Sequence, residues 1–275
     1  MIAKKVIGLP LKGLRLAMKS GDTLIQHAGT QALRVKTWLD TSKTDDAADT
    51  QFATTSGYKN ANAASNDEGI DPLELEFQKS PINLVPAIFL ITTPIAAAVI
   101  TPWYLLTHQV SAPVWGVFGA FMVWTGISIT AGYHRLLSHR AYKAHPLVKN
   151  FLLLGSTLAV QGSAFDWVSG HRTHHRHVDD RMDDPYSAQR GFFFSHIGWM
   201  LRNYPSGRFD YKNIPDLTKD KVLQIQHKYY GLWVLATNVA MVAAVGWLIG
   251  DVWGTLILAG LLRLVLTHHF TFFIN

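Results

Sequence analysis

The stretch INLVPAIFLITTPIAAAVITPWYLL, residues 82–106, carries no charged side chain. As a helix it is long enough to cross the roughly 30 Å hydrocarbon core of a bilayer. Three further apolar stretches of spanning length follow at 113–133, 229–250 and 252–275, and Arg263 is the one charged residue in them. Short connections join the first stretch to the second and the third to the fourth. The sequence therefore predicts an all-α membrane protein with four transmembrane helices arranged as two hairpins.

The basic residues indicate the orientation of these helices. Of the 25 Lys and Arg residues, ten lie in residues 1–80 and 14 in the central region 134–228, and the hairpin connections have none. By the positive-inside rule, both polar regions share the cytoplasmic side, so we expect an integral, multi-pass membrane protein. Topology accounts for the basic pI and no nucleic-acid-binding module is recognisable, so we expect no nucleic-acid partner.

The chain is predicted to comprise two regions, 1–80 and 81–275. Residues 1–38 carry seven basic residues and one acid among scattered apolar ones. This pattern favours an amphipathic segment on anionic membrane lipid, with a mitochondrial-type presequence as the alternative. Residues 41–69 have too few apolar side chains to offset the entropy of ordering, which predicts a disordered linker. The membrane domain is then 81–275.

Composition restricts the chemistry that the chain can perform. There is no cysteine, which excludes disulfides, thiolate nucleophiles, Cys-ligated zinc and iron–sulfur clusters. The only three glutamates are Glu68, Glu74 and Glu76. A soluble-type di-iron site, which needs carboxylates from four helices, is therefore excluded. Histidine is abundant, and seven of its 13 copies lie between residues 134 and 177.

Two histidine boxes contain most of these residues. The second box, HRTHH (171–175), has the spacing i, i+3, i+4, which places three imidazoles on one helical face. The first box, HRLLSHR (134–140), begins where the second span ends, and its two histidines are five residues apart. In an α-helix that spacing turns them about 140° apart. They would then engage two different metal ions, or lie where the helix loosens at the membrane surface.

Imidazole ligates zinc, copper, iron and nickel alike. Five histidines in two boxes favour more than one ion, since zinc alone needs three or four ligands. An all-nitrogen site with open positions suits iron that reacts with molecular oxygen. An enzyme at the membrane boundary acts naturally on a lipid chain, and activated oxygen on iron can break its unactivated C–H bonds.

The chain resembles the membrane fatty acyl desaturases, in particular the acyl-CoA delta-9 type, over about residues 82–275. The motifs that carry the resemblance are HRLLSHRAYKAHP (134–146), AVQGSAFDWVSGHRTHHRHVDDRMDDPYS (159–187) and RGFFFSHIGWML (190–201). It implies a cytoplasmic helical cap over the four spans, a pair of non-haem irons and a narrow acyl tunnel. It also implies oxygen-dependent insertion of a cis double bond into a fatty acyl substrate, with electrons from a separate cytochrome b5-like or ferredoxin-like donor protein.

The resemblance also implies site residues. The metal ligands would be His134, His139, His171, His174 and His175, with Asn275 holding an iron-bound water. Gln161 and Trp167 match positions that border the acyl tunnel, with ordinary packing as the alternative. Arg172 and Arg190 are expected to bind the phosphates of a CoA headgroup, because a guanidinium suits phosphate, or else to face anionic lipid.

One departure from the family pattern qualifies the expected activity. The family has a further ligating histidine just past the fourth span and then a His-x-x-His-His box, and this sequence has neither. We therefore expect the region 81–275 to lack its C-terminal part. Three alternatives to a desaturase remain: a lipid or alkane hydroxylase of the same fold, a non-catalytic membrane protein that binds or transports metal, and a truncated scaffold.

Overall fold

The computed structural model describes residues 75–76 and 79–274. The predicted amphipathic segment, 1–38, and the predicted linker, 41–69, lie outside the described residues, and so does Asn275. Within the described part, the longer helices are α1 Leu84–Thr107, α2 Ala112–Ser138, α3 Pro146–Leu158, α4 Ala164–Arg176, α5 Lys221–Lys228, α6 Tyr230–Leu248 and α7 Val252–Phe272. No strand occurs in 79–274, so the all-α prediction is confirmed there.

Four of these helices, α1, α2, α6 and α7, are long and apolar enough to cross a membrane. They confirm the four predicted spans. Their outward faces expose large apolar side chains, among them Val85, Leu106 and Trp247. In water such surfaces would be costly, whereas lipid tails solvate them at no cost.

The fourth span, α7, is the central helix of the bundle. It packs against α1, α2 and α6, and about half of its residues are buried, a larger share than in any of the other three. The connection from α6 to α7 is tight. A Cβ added at Gly246 would lie 2.8 Å from Val252 Cα, so only glycine allows this close approach.

The second span is longer than predicted, because it continues into the first histidine box. Its last part, Ser128–Ser138, is a π-helix in which the backbone N–H groups bond five residues back. The helix α3 lies along this segment, and Ser156 Oγ donates a hydrogen bond to Ser128 O at 2.8 Å. The packing is close, since a Cβ on Gly132 would be 3.1 Å from Leu152 Cβ.

The apolar core beside the histidine boxes joins α2, α4 and the segment 211–223. Tyr133, Val168 and Ile214 are fully buried in it. The buried Gln226 on α5 connects two helices, because its Nε2 donates to Tyr133 Oη at 2.8 Å and its Oε1 accepts from Ala164 N–H at 3.0 Å. These contacts fix the start of α4 relative to the end of α2.

Backbone hydrogen bonds connect the start of the first span to the central region. Asn83 N–H donates to Leu201 O and Asn203 N–H donates to Pro81 O, both at 2.9 Å. The N-terminal end of α1 therefore lies on the same side of the bundle as residues 201–203. The helical run before them consists of the π-helical turn Phe194–Gly198 and Trp199–Leu201.

Candidate metal centre

Four imidazoles meet where the end of α2 faces α4. His134 and His139 come from the first box and His171 and His175 from the second, and one ring nitrogen of each lies within 4.8 Å of the others. Nε2 of His139 is 3.0 Å from Nε2 of His134 and 3.1 Å from Nε2 of His171. Nε2 of His171 is also 3.1 Å from Nε2 of His175. Four nitrogens that converge in this way could together hold one transition-metal ion.

The π-helical winding of α2 explains how the first box brings two imidazoles to one place. His139 N–H donates to His134 O at 3.0 Å, and Ser138 Oγ donates to Tyr133 O at 2.8 Å. Five-residue bonding places residues five apart on the same face, where an α-helix would turn them apart. Of the two alternatives that the spacing left open, the structure shows the loosened helix.

The second box brings its imidazoles to the cluster by ordinary α-helical spacing. His171 and His175 are one turn apart on α4, and Trp167 lies one turn earlier on the same face. The Trp167 ring stacks on His171 with centroids 4.8 Å apart and meets His134 edge-on at 6.3 Å. Trp167 therefore forms an apolar wall of the cluster.

The electrostatics of the cluster favour neutral imidazoles. Burial, together with the neighbouring imidazoles, lowers the pKa of His171 to about 3. Burial and the rings of His139 and His174 also lower the pKa of His175. A neutral ring keeps a nitrogen lone pair that a metal ion can accept, so at pH 7 these two residues need not release protons before they could ligate one.

His174, also predicted as a ligand, lies beside the four-ring cluster and outside it. Its Nδ1 is 2.8 Å and 2.9 Å from the two carboxylate oxygens of Asp184, and its ring stacks on Tyr186 with centroids 4.3 Å apart. Asp184 is fully buried and also accepts N–H groups from Asp179 and Tyr186. A carboxylate that accepts Nδ1–H leaves Nε2 as the ligand atom, which is the usual way of orienting a metal-binding histidine.

The residues predicted to bind substrate are not gathered into one site. Gln161 lies in the turn between α3 and α4 and donates from Nε2 to Thr271 Oγ1 at 2.9 Å. The side chain of Arg190 is buried, with its guanidinium 3.8 Å from the Phe194 ring centroid and its Nη1 3.7 Å from Glu76 Oε2. Of the four residues predicted to bind substrate, only Trp167 contacts the histidine cluster.

Arg172 uses all five of its N–H donors inside the protein. Nε donates to Ser138 O, and the two terminal nitrogens donate to Leu137 O, Asn213 O and both carboxylate oxygens of Asp216, at 2.7–3.1 Å. These contacts do not test the predicted role of Arg172 in CoA binding, which stays a prediction.

Two residues beside the boxes had no signal in the sequence. Tyr186 Oη lies 3.2 Å from His171 Nδ1, and Asp216 binds the arginines that follow His139 and His171. Burial raises the pKa of Asp216, but the hydrogen bonds from Arg172 and Arg140 outweigh burial and lower it to about 2. Asp216 is 76 residues from Arg140 and 44 residues from Arg172 along the chain.

The fold and the site define an integral membrane protein with a cluster of imidazoles at the end of a spanning helix. The family model described as fatty acid desaturase matches residues 110–275, more than half of the chain, and the chain belongs to this family. The resemblance inferred from the sequence is thereby confirmed.

Three relatives show how much of the chain is covered. Acyl-CoA desaturase 1 of Saccharomyces cerevisiae is 41% identical over 152 residues, which are 54% of this chain and 29% of the yeast protein. Stearoyl-CoA desaturase 4 of Mus musculus is 37% identical over 168 residues, 58% of this chain and 46% of the mouse protein. Stearoyl-CoA desaturase 5 of Bos taurus is 34% identical over 195 residues, 68% of this chain and 57% of the bovine protein. The chain thus spans between 29% and 57% of the length of these relatives.

Proposed function

We propose that the protein is a membrane desaturase that inserts a cis double bond at the delta-9 position of a fatty acyl chain carried by CoA. The reaction would consume molecular oxygen and two electrons from a separate cytochrome b5-like or ferredoxin-like protein. The observation that carries the proposal is the convergence of four imidazoles beside the membrane-spanning bundle of a desaturase-family chain. The acyl-CoA substrate is supported by the names of the relatives.

The cluster residues fit a non-haem iron ion. Their donor set is all nitrogen, and burial favours the neutral ligating form of His171. We assign His134, His139, His171 and His175 to one ion. We assign His174, oriented by Asp184, to a second ion beside it, with Asn275 holding a water as the family implies. When bound, the iron pair supplies the oxygen activation that cleavage of an unactivated C–H bond requires.

The remaining residues position the substrate and exclude water. The indole of Trp167 covers the cluster on the side of His134 and His171, and would hold the apolar acyl chain against it. Gln161, fixed by Thr271, would border the acyl tunnel where α3 joins α4. We also propose that Arg190 and Arg172 bind the phosphates of the CoA headgroup, and this assignment rests on the family resemblance alone.

The orientation proposed is that the histidine boxes and both polar regions lie in the cytoplasm. The distribution of Lys and Arg supports it. The backbone pairing of Pro81–Asn83 with Leu201–Asn203 also supports it, because it places the start of α1 and the central region on one side of the bundle. A donor protein would then reach the site from that side.

The test is expression of the complete protein in a yeast strain that lacks its own acyl-CoA desaturase and keeps its electron donors. Gas chromatography should detect delta-9 monounsaturated fatty acids. The variant His171→Ala should form none, whereas His145→Asn, which keeps the cap of α3 outside the cluster, should retain activity. An unchanged fatty acid profile with iron bound, or hydroxylated lipids as the product, would refute the proposal.

A further inference from the structure

One carboxylate connects the two histidine boxes. Asp216 lies in the segment between Asn213 and α5 and accepts hydrogen bonds from Arg140, which follows His139, and from Arg172, which follows His171. The arginines therefore belong to different boxes, and each adjoins a cluster imidazole. The Nε2 atoms of those two imidazoles are 3.1 Å apart.

The geometry on each side is bidentate. Arg140 donates from Nε to Oδ2 at 2.9 Å and places Nη2 2.8 Å from Oδ1. Arg172 donates from Nη1 to Oδ1 at 2.7 Å and from Nη2 to Oδ2 at 3.0 Å. Paired bonds of this kind fix orientation as well as distance, because a guanidinium and a carboxylate are both planar.

Arg172 also holds the end of α2. Arg172 donates to the carbonyls of Leu137 and Ser138, the last two residues before His139. The chain then turns sharply, and Arg140 adopts a left-handed conformation with φ 52°. A residue other than glycine keeps such a backbone only where its surroundings hold it.

We infer that Asp216 is a positioning residue that holds the two histidine boxes in register, so that imidazoles from α2 and α4 converge on one point. It does not touch the cluster nitrogens and acts through Arg140 and Arg172. The inference rests on the proposed metal site, and it predicts that loss of the carboxylate loosens both boxes even though every ligand remains.

The experiment titrates the purified full chain in detergent with Co²⁺ and follows the visible absorption of the bound ion. Asp216→Asn should weaken Co²⁺ binding about 10–100-fold and alter the spectrum, as losses of ligand-orienting groups do in metal sites. Asp216→Glu, which keeps the carboxylate, should recover part of the affinity. Arg140→Ala removes an exposed side chain next to the first histidine box only and should also weaken Co²⁺ binding. The double variant with Asp216→Asn should lose little more Co²⁺ affinity than Asp216→Asn alone.

The matched control is Asp220→Asn. Asp220 forms an ion pair with Lys149 and caps α5, and asparagine keeps the cap while removing the pair. This variant should bind Co²⁺ as the wild type does. In the metal-free chain, hydrogen exchange should accelerate at residues 134–140 and 171–176 in Asp216→Asn and stay unchanged in Asp220→Asn.

The outcomes separate the two claims. Equal affinity, spectrum and exchange in the wild type, Asp216→Asn and Arg140→Ala would overturn the positioning role while leaving the metal site intact. Failure of the wild type to bind Co²⁺ more tightly than His171→Ala would overturn the metal site itself, and the positioning role with it.

Discussion

Arg263 is a buried cation in the middle of the fourth span, and its replacement by methionine should destabilise the bundle. Its Nη1 donates to Leu158 O and its Nη2 to Asn238 Oδ1, both at 2.8 Å. Its Nε donates to Ala259 O on its own helix. The first two bonds join α7 to the end of α3 and to α6, so this one side chain connects three helices.

The magnitude follows from the acceptors left behind. Leu158 O and Asn238 Oδ1 would each lose a charged donor, at about 1–3 kcal/mol for each unsatisfied group. Removing the buried charge offsets part of this cost, so we expect a net loss of about 2–4 kcal/mol. At roughly 2–4 °C per kcal/mol for domains of this size, the melting temperature in detergent should fall by about 4–16 °C.

The assay is thermal unfolding in detergent of Arg263→Met, Asn238→Leu and the double variant. The double variant lacks both the donor and the acceptor of this bond, so it leaves fewer unsatisfied groups than the two single variants together. Its loss of stability should therefore be smaller than the sum of the two single losses. If Arg263→Met melts as the wild type does, or if the two losses are strictly additive, the bridging role is wrong.

Three further predictions concern the site and its support. Asp184→Asn should accelerate amide exchange at Asp179 and Tyr186, whose N–H groups the carboxylate accepts, whereas the exposed Asp183→Asn should not. The pKa of His171 in the folded state lies below its usual 6.5, so the unfolded state takes up the proton first as pH falls. The metal-free chain should therefore lose stability between about pH 6.5 and about pH 3. In melting experiments, His171→Gln should lose less stability than the wild type over the same pH range. A Cβ at Gly155 would overlap Ser128 Oγ and lie 2.7 Å from Trp124 Nε1. Gly155→Ala should therefore push α3 away from α2, lower the free energy of unfolding by about 1–3 kcal/mol and lower the melting temperature. As the control, a Cβ at Gly126 meets nothing within 4 Å, so Gly126→Ala should not destabilise the protein.

The spans were predictable from the sequence because the bilayer imposes a length and a composition on each of them. An uncharged, apolar run as long as 82–106 is typical of a membrane-spanning helix, and the helices α1, α2, α6 and α7 match the four predicted runs to within a few residues at most ends. The clearest difference is at the end of α2. The helix continues to Ser138 as a π-helix, and local periodicity does not distinguish that winding from an α-helical end.

The candidate site was predictable only in part, because local spacing determines some of its contacts and tertiary packing determines the others. The spacing of His171 and His175 on a helix determines that they share a face, so their convergence follows from local sequence. The Asp216 carboxylate is 76 residues from Arg140 along the chain, and its contact depends on tertiary packing that no local pattern encodes. The same holds for the contacts of Arg172 with Asn213 and Asp216, which lie 41 and 44 residues away along the chain.

The central claim is that imidazoles from two distant boxes bind one metal ion, and X-ray absorption spectroscopy on the chain loaded anaerobically with one equivalent of Fe²⁺ tests it most directly. We expect a nitrogen-rich first shell with the outer-shell scattering of about four imidazole rings, reduced in both His139→Ala and His175→Ala. A first shell of oxygen without imidazole scattering, unchanged in these two variants, would contradict the claim.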